Sequence, residues 1–375
     1  SNGYSGASVS LSSDGTIVSV GSAGSSARVF EYGVEHSSDD NLWGQLGVDI
    51  DGEASYDQSG YSVSLSSDGT IVAIGAVYNN NDAGHVRVYK YNDTSWNKLG
   101  QDIYGEASSD QSGYSVSLSS DGTIVAIGAV YNNNDAGHVR VYKYNDTSWN
   151  KLGQDIDGEV SGDQSGYSVS LSSDGTIIAI GAPYNDDNGS NSGHVRVYKY
   201  NDTSWNKLGV DIDGEASGDQ SGYSVSLSSD GTIVAIGAVR NDGNGSNSGH
   251  VRVYQYNDTS WNKLGQDIDS EAVSDESGYS VSLSSDGTIV AIGAISNDGN
   301  GNNSGHVRVY KYNDTSWNKL GQDIDGEASV DKSGYSVSLS SDGTIVAIGA
   351  VYNNNDAGHV RVYKYNDTSW NKLGQ

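Results

Sequence analysis

The sequence predicts an all-β protein, a seven-bladed β-propeller with four antiparallel strands per blade. Three observations lead to this prediction: a constant repeat length, alternating apolar and polar residues inside each repeat, and no helical periodicity. Each repeat contains one tryptophan, and neighbouring tryptophans are 53 or 56 residues apart, at Trp43, Trp96, Trp149, Trp205, Trp261, Trp317 and Trp370.

The repeats are nearly identical over long stretches. The block Ser59–Gln101 recurs unchanged as Ser112–Gln154 and as Ser333–Gln375. Because seven short units of one kind close into a ring more readily than they form separate domains, we expect one domain over residues 1–375. An open solenoid is the alternative, and it would need capping repeats. The expected blades are approximately 1–52, 53–105, 106–158, 159–214, 215–270, 271–326 and 327–375.

The second repeat shows the expected strands. Tyr61–Ser66 alternates with period two, Thr70–Gly75 is an apolar run typical of a strand buried on both faces, and His85–Tyr91 alternates again. Val77–Gly84 is predicted to be a loop. Trp96–Ile103 is a more polar fourth strand, which suits the outer edge of a blade.

The positions within the repeat at which the sequence begins and ends indicate how the ring closes. The chain starts at a first strand and stops just after a tryptophan strand, so no spare strand remains to complete a shared blade. We therefore expect closure by side-chain packing between the first and last blades. The sequence of the first repeat differs from that of the others at Ser22–Ala27 and Gly33–Asn41. Such a difference is expected either of a terminal repeat that caps the array or contacts a partner, or of a terminal copy whose sequence has diverged without a function.

The composition limits the partners. The formal net charge is -28, with 20 Lys+Arg against 48 Asp+Glu, so nucleic acid is an unsuitable partner. The chain has no cysteine and no run of 18 apolar residues, so we expect neither disulfides nor membrane insertion. The first residues already belong to the repeat, and we expect a processed chain or a piece of a longer one.

Several short motifs point to a known family. Gly60-Tyr-Ser-Val-Ser64, Ile74-Gly-Ala76 and Gly84–Tyr89 recur, and one copy has Gly181-Ala-Pro183. The unit resembles the FG-GAP repeat of integrin α-chain propellers and the tandem repeats of surface proteins of marine and environmental microbes. The resemblance implies a propeller fold and an extracellular or cell-surface location. The calcium loop of integrin-type propellers is not carried over, because Ser66–Thr70 is too short to supply six to eight oxygen ligands.

Asn-x-Ser/Thr sequons are the clearest candidate modification sites. They lie in predicted surface turns, where asparagine also serves turn geometry without any glycan. The candidates are Asn92, Asn145, Asn201, Asn257, Asn313 and Asn366 in the short turns, and Asn188, Asn244 and Asn302 in longer loops.

Two sets of residues are candidate metal ligands. Asp211, Asp213 and Glu215 precede a first strand, and alternation would let them converge on Ca²⁺, although we favour a solvated edge strand and turn. No other cofactor is expected. Six equivalent histidines open the third strands, where we favour packing or hydrogen bonding to a neighbouring loop over metal binding. The arginines two residues later are expected to meet blade carboxylates or to cover apolar surface with their stems. These histidines are His85, His138, His194, His250, His306 and His359.

Three functions remain open from the sequence. The first is a non-enzymatic extracellular structural module that assembles with copies of itself or with neighbouring surface proteins. The second is a multivalent glycan-binding or adhesion module that uses repeated loops such as Tyr78–Asp82. The third is a hydrolase that uses the central channel, which rests on analogy with other propellers. Near-identical repeats do not offer one asymmetric catalytic constellation, so we expect no catalytic residues.

Overall fold

The computed structural model describes residues 4–24, 26–33, 42–353 and 357–374. It confirms the all-β seven-bladed propeller, because the strands form seven separate antiparallel sheets in chain order. The inner strands surround the central channel and contact one another from blade to blade. They are Ser5–Leu11, Ser59–Leu65, Ser112–Leu118, Ser168–Leu171, Ser221–Leu227, Ser277–Leu283 and Ser333–Leu339.

The second and third strands form the middle of each blade. The second strands are almost wholly apolar and buried on both faces, at Ile17–Ser22, Ile71–Ala76, Ile124–Ala129, Ile177–Ala182, Ile233–Ala238, Ile289–Ala294 and Ile345–Ala350. The third strands are Ser26–Tyr32, His85–Tyr91, His138–Tyr144, His194–Tyr200, His250–Tyr256, His306–Tyr312 and His359–Tyr365.

The predicted fourth strand is broken into two. In the second blade, Trp96–Lys98 pairs with one end of the third strand and Ile103–Tyr104 with the other. Gly100, with φ of 76°, turns the chain between them, and Lys98 Nζ lies 2.9 Å from Asp102 Oδ1 across the turn. The outer strands are Trp43–Gln45, Trp96–Lys98, Trp149–Lys151, Trp205–Lys207, Trp261–Lys263, Trp317–Lys319 and Trp370–Lys372. The short fifth strands are Ile50–Asp51, Ile103–Tyr104, Ile156–Asp157, Ile212–Asp213, Ile268–Asp269 and Ile324–Asp325.

Two predicted loops contain a helical turn, at Asn79–Asp82 and Asn132–Asp135. Asn80 and Asn81 have φ of 53° and 56°, a left-handed conformation that asparagine tolerates better than most residues. Most of the divergent turn predicted at Gly33–Asn41 lies outside the described residues. Among the described residues, no helix is long and apolar enough to cross a membrane.

The hydrophobic core lies between blades rather than within them. One cluster joins Val139 and Val141 of the third blade to Ile178, Ile180 and Trp205 of the fourth. Each tryptophan also donates its indole N–H to a leucine carbonyl of the preceding blade, at N–O distances of 2.7 to 2.9 Å. The tryptophan that marks the repeat in the sequence is therefore the residue that joins one blade to the next.

Hydrogen bonds close the ring together with packing. A serine N–H in each inner turn donates to the equivalent carbonyl of the next blade, from Ser13 through to Ser341, which donates back to Ser13 at 2.8 Å. Ser5 N–H also donates to Ala357 O, and Trp43 donates to Leu373 O. The predicted closure by side-chain packing alone was incomplete, because these backbone and indole bonds join the first and last blades as they join all the others.

Candidate functional site

One mouth of the central channel is lined by six tyrosines, which we call the tyrosine crown. Each stands near the start of an inner strand, and neighbouring ring centroids are 4.8 to 5.1 Å apart. The first blade has Ala7 at this position, so the crown has one gap, between the last and the first of its tyrosines. Its members are Tyr61, Tyr114, Tyr167, Tyr223, Tyr279 and Tyr335.

The rings of the crown follow the symmetry of the blades. Successive ring planes differ by 48° to 50°. A seven-bladed ring turns each blade by about 51° from the last, so the ring planes must run nearly parallel to the channel axis. The crown therefore forms an aromatic wall around the mouth.

The crown encloses a pocket with a neutral lining. Below the tyrosines, the same face of the inner strands presents Val63 and then Leu65, which are both buried. The pocket at the crown has a volume of about 220 Å³ and is lined by the six tyrosines, Ala7 and Ala23. At the opposite mouth, seven leucines and seven serines line a smaller pocket of about 140 Å³. Neither lining includes a charged side chain.

Burial favours the protonated form of five crown phenols, those of Tyr61, Tyr114, Tyr167, Tyr223 and Tyr279. Burial raises the pKa of Tyr223 to about 12. Burial also raises the pKa of Tyr61, and burial together with the neighbouring phenols raises those of Tyr114, Tyr167 and Tyr279. The crown thus offers neutral hydroxyl groups, each able to donate and to accept a hydrogen bond.

A second tier of tyrosines stands outside the crown, just after the second strands of the second, third, fourth and seventh blades. Tyr184 packs edge-on against Tyr167, with centroids 6.2 Å apart. Tyr78 and Tyr131 are 41% and 36% exposed, and Tyr131 interacts electrostatically with both Tyr78 and Tyr184. The repeated loops that the sequence suggested as separate sites therefore lie around one shared mouth.

Comparison with known proteins identifies the repeat. Residues 156–198, 210–254 and 269–310 match the family model of the FG-GAP repeat. The chain is a β-propeller that contains FG-GAP-like repeats. A comparison with curated proteins finds no match.

Solved structures share the architecture of this FG-GAP-like propeller at low sequence identity. A Bacteroides uniformis protein whose suggested activity is 6-phosphogluconolactonase has a TM-score of 0.64 at 13% identity, over 92% of this chain and 90% of that one. Hydrazine synthase of Kuenenia stuttgartiensis has a TM-score of 0.63 at 12% identity, over 98% of this chain and 97% of that one. At these identities the likeness shows the fold alone.

The short-turn sequons of the FG-GAP-like propeller lie at the end of the disc opposite the crown, because they follow third strands that run away from it. All six asparagines are exposed. In each turn the side-chain Oδ1 accepts hydrogen bonds from the following Thr and Ser, as Asn92 does from Thr94 and Ser95. The turn geometry thus explains why asparagine occurs at these positions, without any glycan. The turn hydrogen bonds involve the side-chain oxygen and not the amide nitrogen.

The longer-loop sequons differ in their amide nitrogens. Nδ2 of Asn188 donates to Gly214 O at 2.7 Å, and Nδ2 of Asn244 donates to Ser270 O at 2.8 Å. In the sixth blade Asn300 makes the equivalent bond, which leaves the sequon residue Asn302 exposed.

Glycan occupancy should follow this difference. When the chain is expressed in a eukaryotic secretory pathway, we expect glycans at Asn302 and at the Asn92-type turns, and none at Asn188 or Asn244. The reason is that a glycan on Asn188 or Asn244 would disrupt the amide hydrogen bond that holds its loop in the folded chain, whereas Asn302 is exposed. Glycopeptide mass spectrometry would check this, and equal occupancy of Asn188 and Asn302 would contradict it.

The predicted calcium ligands are divided between two blades. Asp211 pairs with Lys207, with a distance of 2.8 Å between Lys207 Nζ and Asp211 Oδ1, and Asp213 pairs with His194 across the β-ladder. Glu215 instead contacts Arg252 of the next blade at 3.4 Å. The three do not form a cluster among the described residues, because the chain passes from one blade to the next between Asp213 and Glu215.

The histidines and arginines of the third strands lie between blades. As predicted, each of the six arginines meets a carboxylate, that of the glutamate at the start of its own blade, with nitrogen–oxygen distances of 3.1 to 3.9 Å. Burial first, and then the neighbouring arginine, lowers the pKa of all six histidines. Three of the histidines also stand with two carboxylates whose ligand atoms lie within 4.8 Å of one another, in the groups Glu159–Asp187–His194, Glu215–His250–Asp267 and Glu271–His306–Asp323.

Proposed function

We propose that the chain is a non-enzymatic extracellular surface or matrix module that binds the end of a neutral glycan in the tyrosine crown. The observation that carries this proposal is the pocket of about 220 Å³ walled by six phenols. The FG-GAP repeats support the extracellular location, since the resemblance of the unit is to repeats of cell-surface proteins.

The chemistry of the pocket favours a neutral polyhydroxyl ligand. Sugars present both C–H faces and hydroxyl groups, and tyrosine combines an aromatic body with a polar tip that can match both. The lining residues supply no cation to pair with a sulfate or carboxylate. The net charge of -28 would also repel a polyanionic glycan at long range.

The lining of the channel also leads us to propose binding rather than hydrolysis of the glycan. Glycoside hydrolysis usually needs a pair of carboxylates about 5 to 10 Å apart, one on each side of the scissile bond. Neither lining of the channel includes an Asp or Glu. Assembly with copies of itself or with neighbouring surface proteins remains a prediction, and electron microscopy of native material would test it.

Loss of a crown tyrosine should weaken glycan binding. We expect Tyr167→Ala to reduce affinity for a neutral oligosaccharide about fivefold, since an aromatic contact contributes about 1 kcal/mol. Alanine already occupies this position in the first blade as Ala7, so the variant should fold. A glycan array would find the ligand, and titration calorimetry would measure the change.

The matched control is Tyr104→Asp. Tyr104 is an exposed tyrosine on a short fifth strand, and Asp157 and Asp213 occupy the equivalent position in the next two blades. This variant should bind like the unaltered chain. Equal binding by Tyr167→Ala, or preferential binding of anionic glycans, would reject the crown as a neutral-glycan site.

A further inference from the structure

The fourth blade carries a cluster of charged residues that glycan binding at the crown does not use. Glu159, Asp187 and His194 bring ligand atoms within 4.8 Å of one another. His194 Nδ1 lies 3.8 Å from Asp187 Oδ2, and Arg196 Nη1 lies 3.4 Å from Glu159 Oε1. The cluster is reached from solvent through its two half-exposed carboxylates.

His194 is buried at the base of this cluster without a hydrogen-bonding partner. Its side chain is 1% exposed, and neither Nδ1 nor Nε2 makes a hydrogen bond. A buried polar group without a partner is costly, and imidazole nitrogen is a common metal ligand.

Two carboxylates, Asp187 and Asp213, lie beside His194: Asp187 Oδ2 is 3.8 Å from its Nδ1, and Asp213 is its partner across the β-ladder. Two carboxylates beside one buried ring repel each other. Among the described ion pairs, neither Asp187 nor Asp213 contacts a lysine or an arginine. A bound cation would relieve this repulsion and would supply the partner that His194 lacks.

We propose that Glu159, Asp187 and His194 bind one divalent transition-metal ion, for which Zn²⁺ is the best chemical match. Zinc accepts imidazole nitrogen together with carboxylate oxygen, whereas Ca²⁺ takes oxygen ligands. Bonds of about 2.0 to 2.2 Å to zinc would draw the three ligand atoms closer than their present separation. The half-exposed carboxylates have the freedom to make that movement.

The position of Asp187 distinguishes this blade from its neighbours. The loop Asn185-Asp-Asp187 corresponds to Asn241-Asp-Gly243 in the fifth blade, and the turn is the same, because residues 187 and 243 both donate N–H to the preceding asparagine Oδ1. A Cβ added at Gly243 would lie 3.6 Å from Asp269 Oδ1, so a side chain at this position points towards the fifth strand.

The comparable clusters of the fifth and sixth blades are already paired. Their third members, Asp267 and Asp323, are held by lysines at 2.8 and 3.0 Å. Asp187→Gly therefore gives the fourth blade a loop that this chain already folds elsewhere, and it removes one proposed ligand.

The test is to titrate the metal-free chain with Zn²⁺ alone, measuring binding by calorimetry, and with Co²⁺ alone, measuring visible absorption. We expect one tight Zn²⁺ site per chain and at least about tenfold weaker binding by Asp187→Gly, the scale on which even residues supporting the ligands affect metal affinity. Asp202→Asn, an exposed turn residue with the same change of charge, should bind like the unaltered chain.

The cobalt absorption spectrum distinguishes a site that binds the metal through His194 from general attraction of cations to the acidic surface. His194→Gln should abolish the cobalt absorption, while His138→Gln in the third blade should retain it. The proposal is overturned if the unaltered chain binds Zn²⁺ no more tightly than Asp187→Gly does. It is overturned equally if Ca²⁺ binds as tightly as Zn²⁺, because that result would mean that the imidazole takes no part.

Discussion

Acidification towards pH 4 is expected to destabilise the propeller by several kcal/mol. Five histidines are buried between blades and a sixth, His359, is partly buried, and burial holds the pKa values of all six below the usual value of about 6.5. For His250 the lowered pKa is about 4. The folded chain therefore holds these rings neutral at a pH where the unfolded chain would protonate them.

The direction of the effect follows from proton binding. Below about pH 6.5 the unfolded state binds more protons than the folded state, so the free energy of unfolding falls as the pH falls. The contribution is fully present above pH 6.5 and is lost progressively down to the folded pKa. A shift from 6.5 to about 4 corresponds to about 3 kcal/mol for His250. The pKa values of the other five histidines are lowered in the same direction, so each of these groups adds to the loss.

Acidification also has a stabilising effect, which must be smaller than the destabilisation from the histidines for this prediction to hold. The net charge of -28 decreases on acidification, which relieves repulsion between surface carboxylates. That repulsion is screened within about 8 Å at physiological salt, whereas the buried histidines are not screened. The buried groups should therefore dominate at about 0.15 M salt.

Calorimetric melting from pH 7 to pH 4.5 would measure this effect. We expect Tm to fall steeply below about pH 6.5, and the fall to be smaller in His250→Gln, which lacks one titrating group. A Tm that stays level between pH 6.5 and 4.5 would show that the histidines accept protons while folded.

The sequence predicted the blades because their strands follow local patterns. Residues such as Val72 and Ile74 are apolar on both faces of the second strand, and turn residues bound each strand. The broken outer strand was missed because the break depends on the left-handed Gly100 and on the Lys98–Asp102 pair, not on periodicity.

The sites were harder to predict than the strands. Tyr61, Val63 and Leu65 alternate in the sequence, and that alternation was the available signal for the crown. Which face of a strand meets the channel is decided only when seven blades close into a ring. The Asp187–His194 contact was not predicted for a related reason. The fold of the blade brings a loop residue next to a strand residue, and no known sequence motif has their spacing.

Substitution of Gly237 by alanine is expected to destabilise the propeller by about 3 kcal/mol or more, at the upper end of what overpacking costs. A Cβ at this position would lie 2.1 Å from Gly278 O and 2.9 Å from Gly278 C, both backbone atoms of the next blade. Backbone cannot rotate away as a side chain can. The second strand of one blade would therefore be forced from the inner strand of the next.

The position of this contact in the ring increases its effect. The same glycine–glycine approach recurs at every junction between blades, including that of Gly349 with Gly6 between the last and first blades. A shift at one junction must be absorbed by the others, since the serine hydrogen bonds join all seven inner turns into one closed circuit. Local strain is therefore distributed rather than confined to one blade.

The matched control is Gly218→Ala, a glycine with φ of 91° and no heavy atom within 4 Å of an added Cβ. It should cost about 1 kcal/mol or slightly more, because only the left-handed backbone is strained. Urea unfolding of both variants would give the two free energies. If the two losses were equal, backbone strain alone would explain them, and the close approach of neighbouring blades would not limit stability. A much larger loss for Gly237→Ala would show that the absence of a side chain at this position is what lets the blades pack closely enough to close the ring.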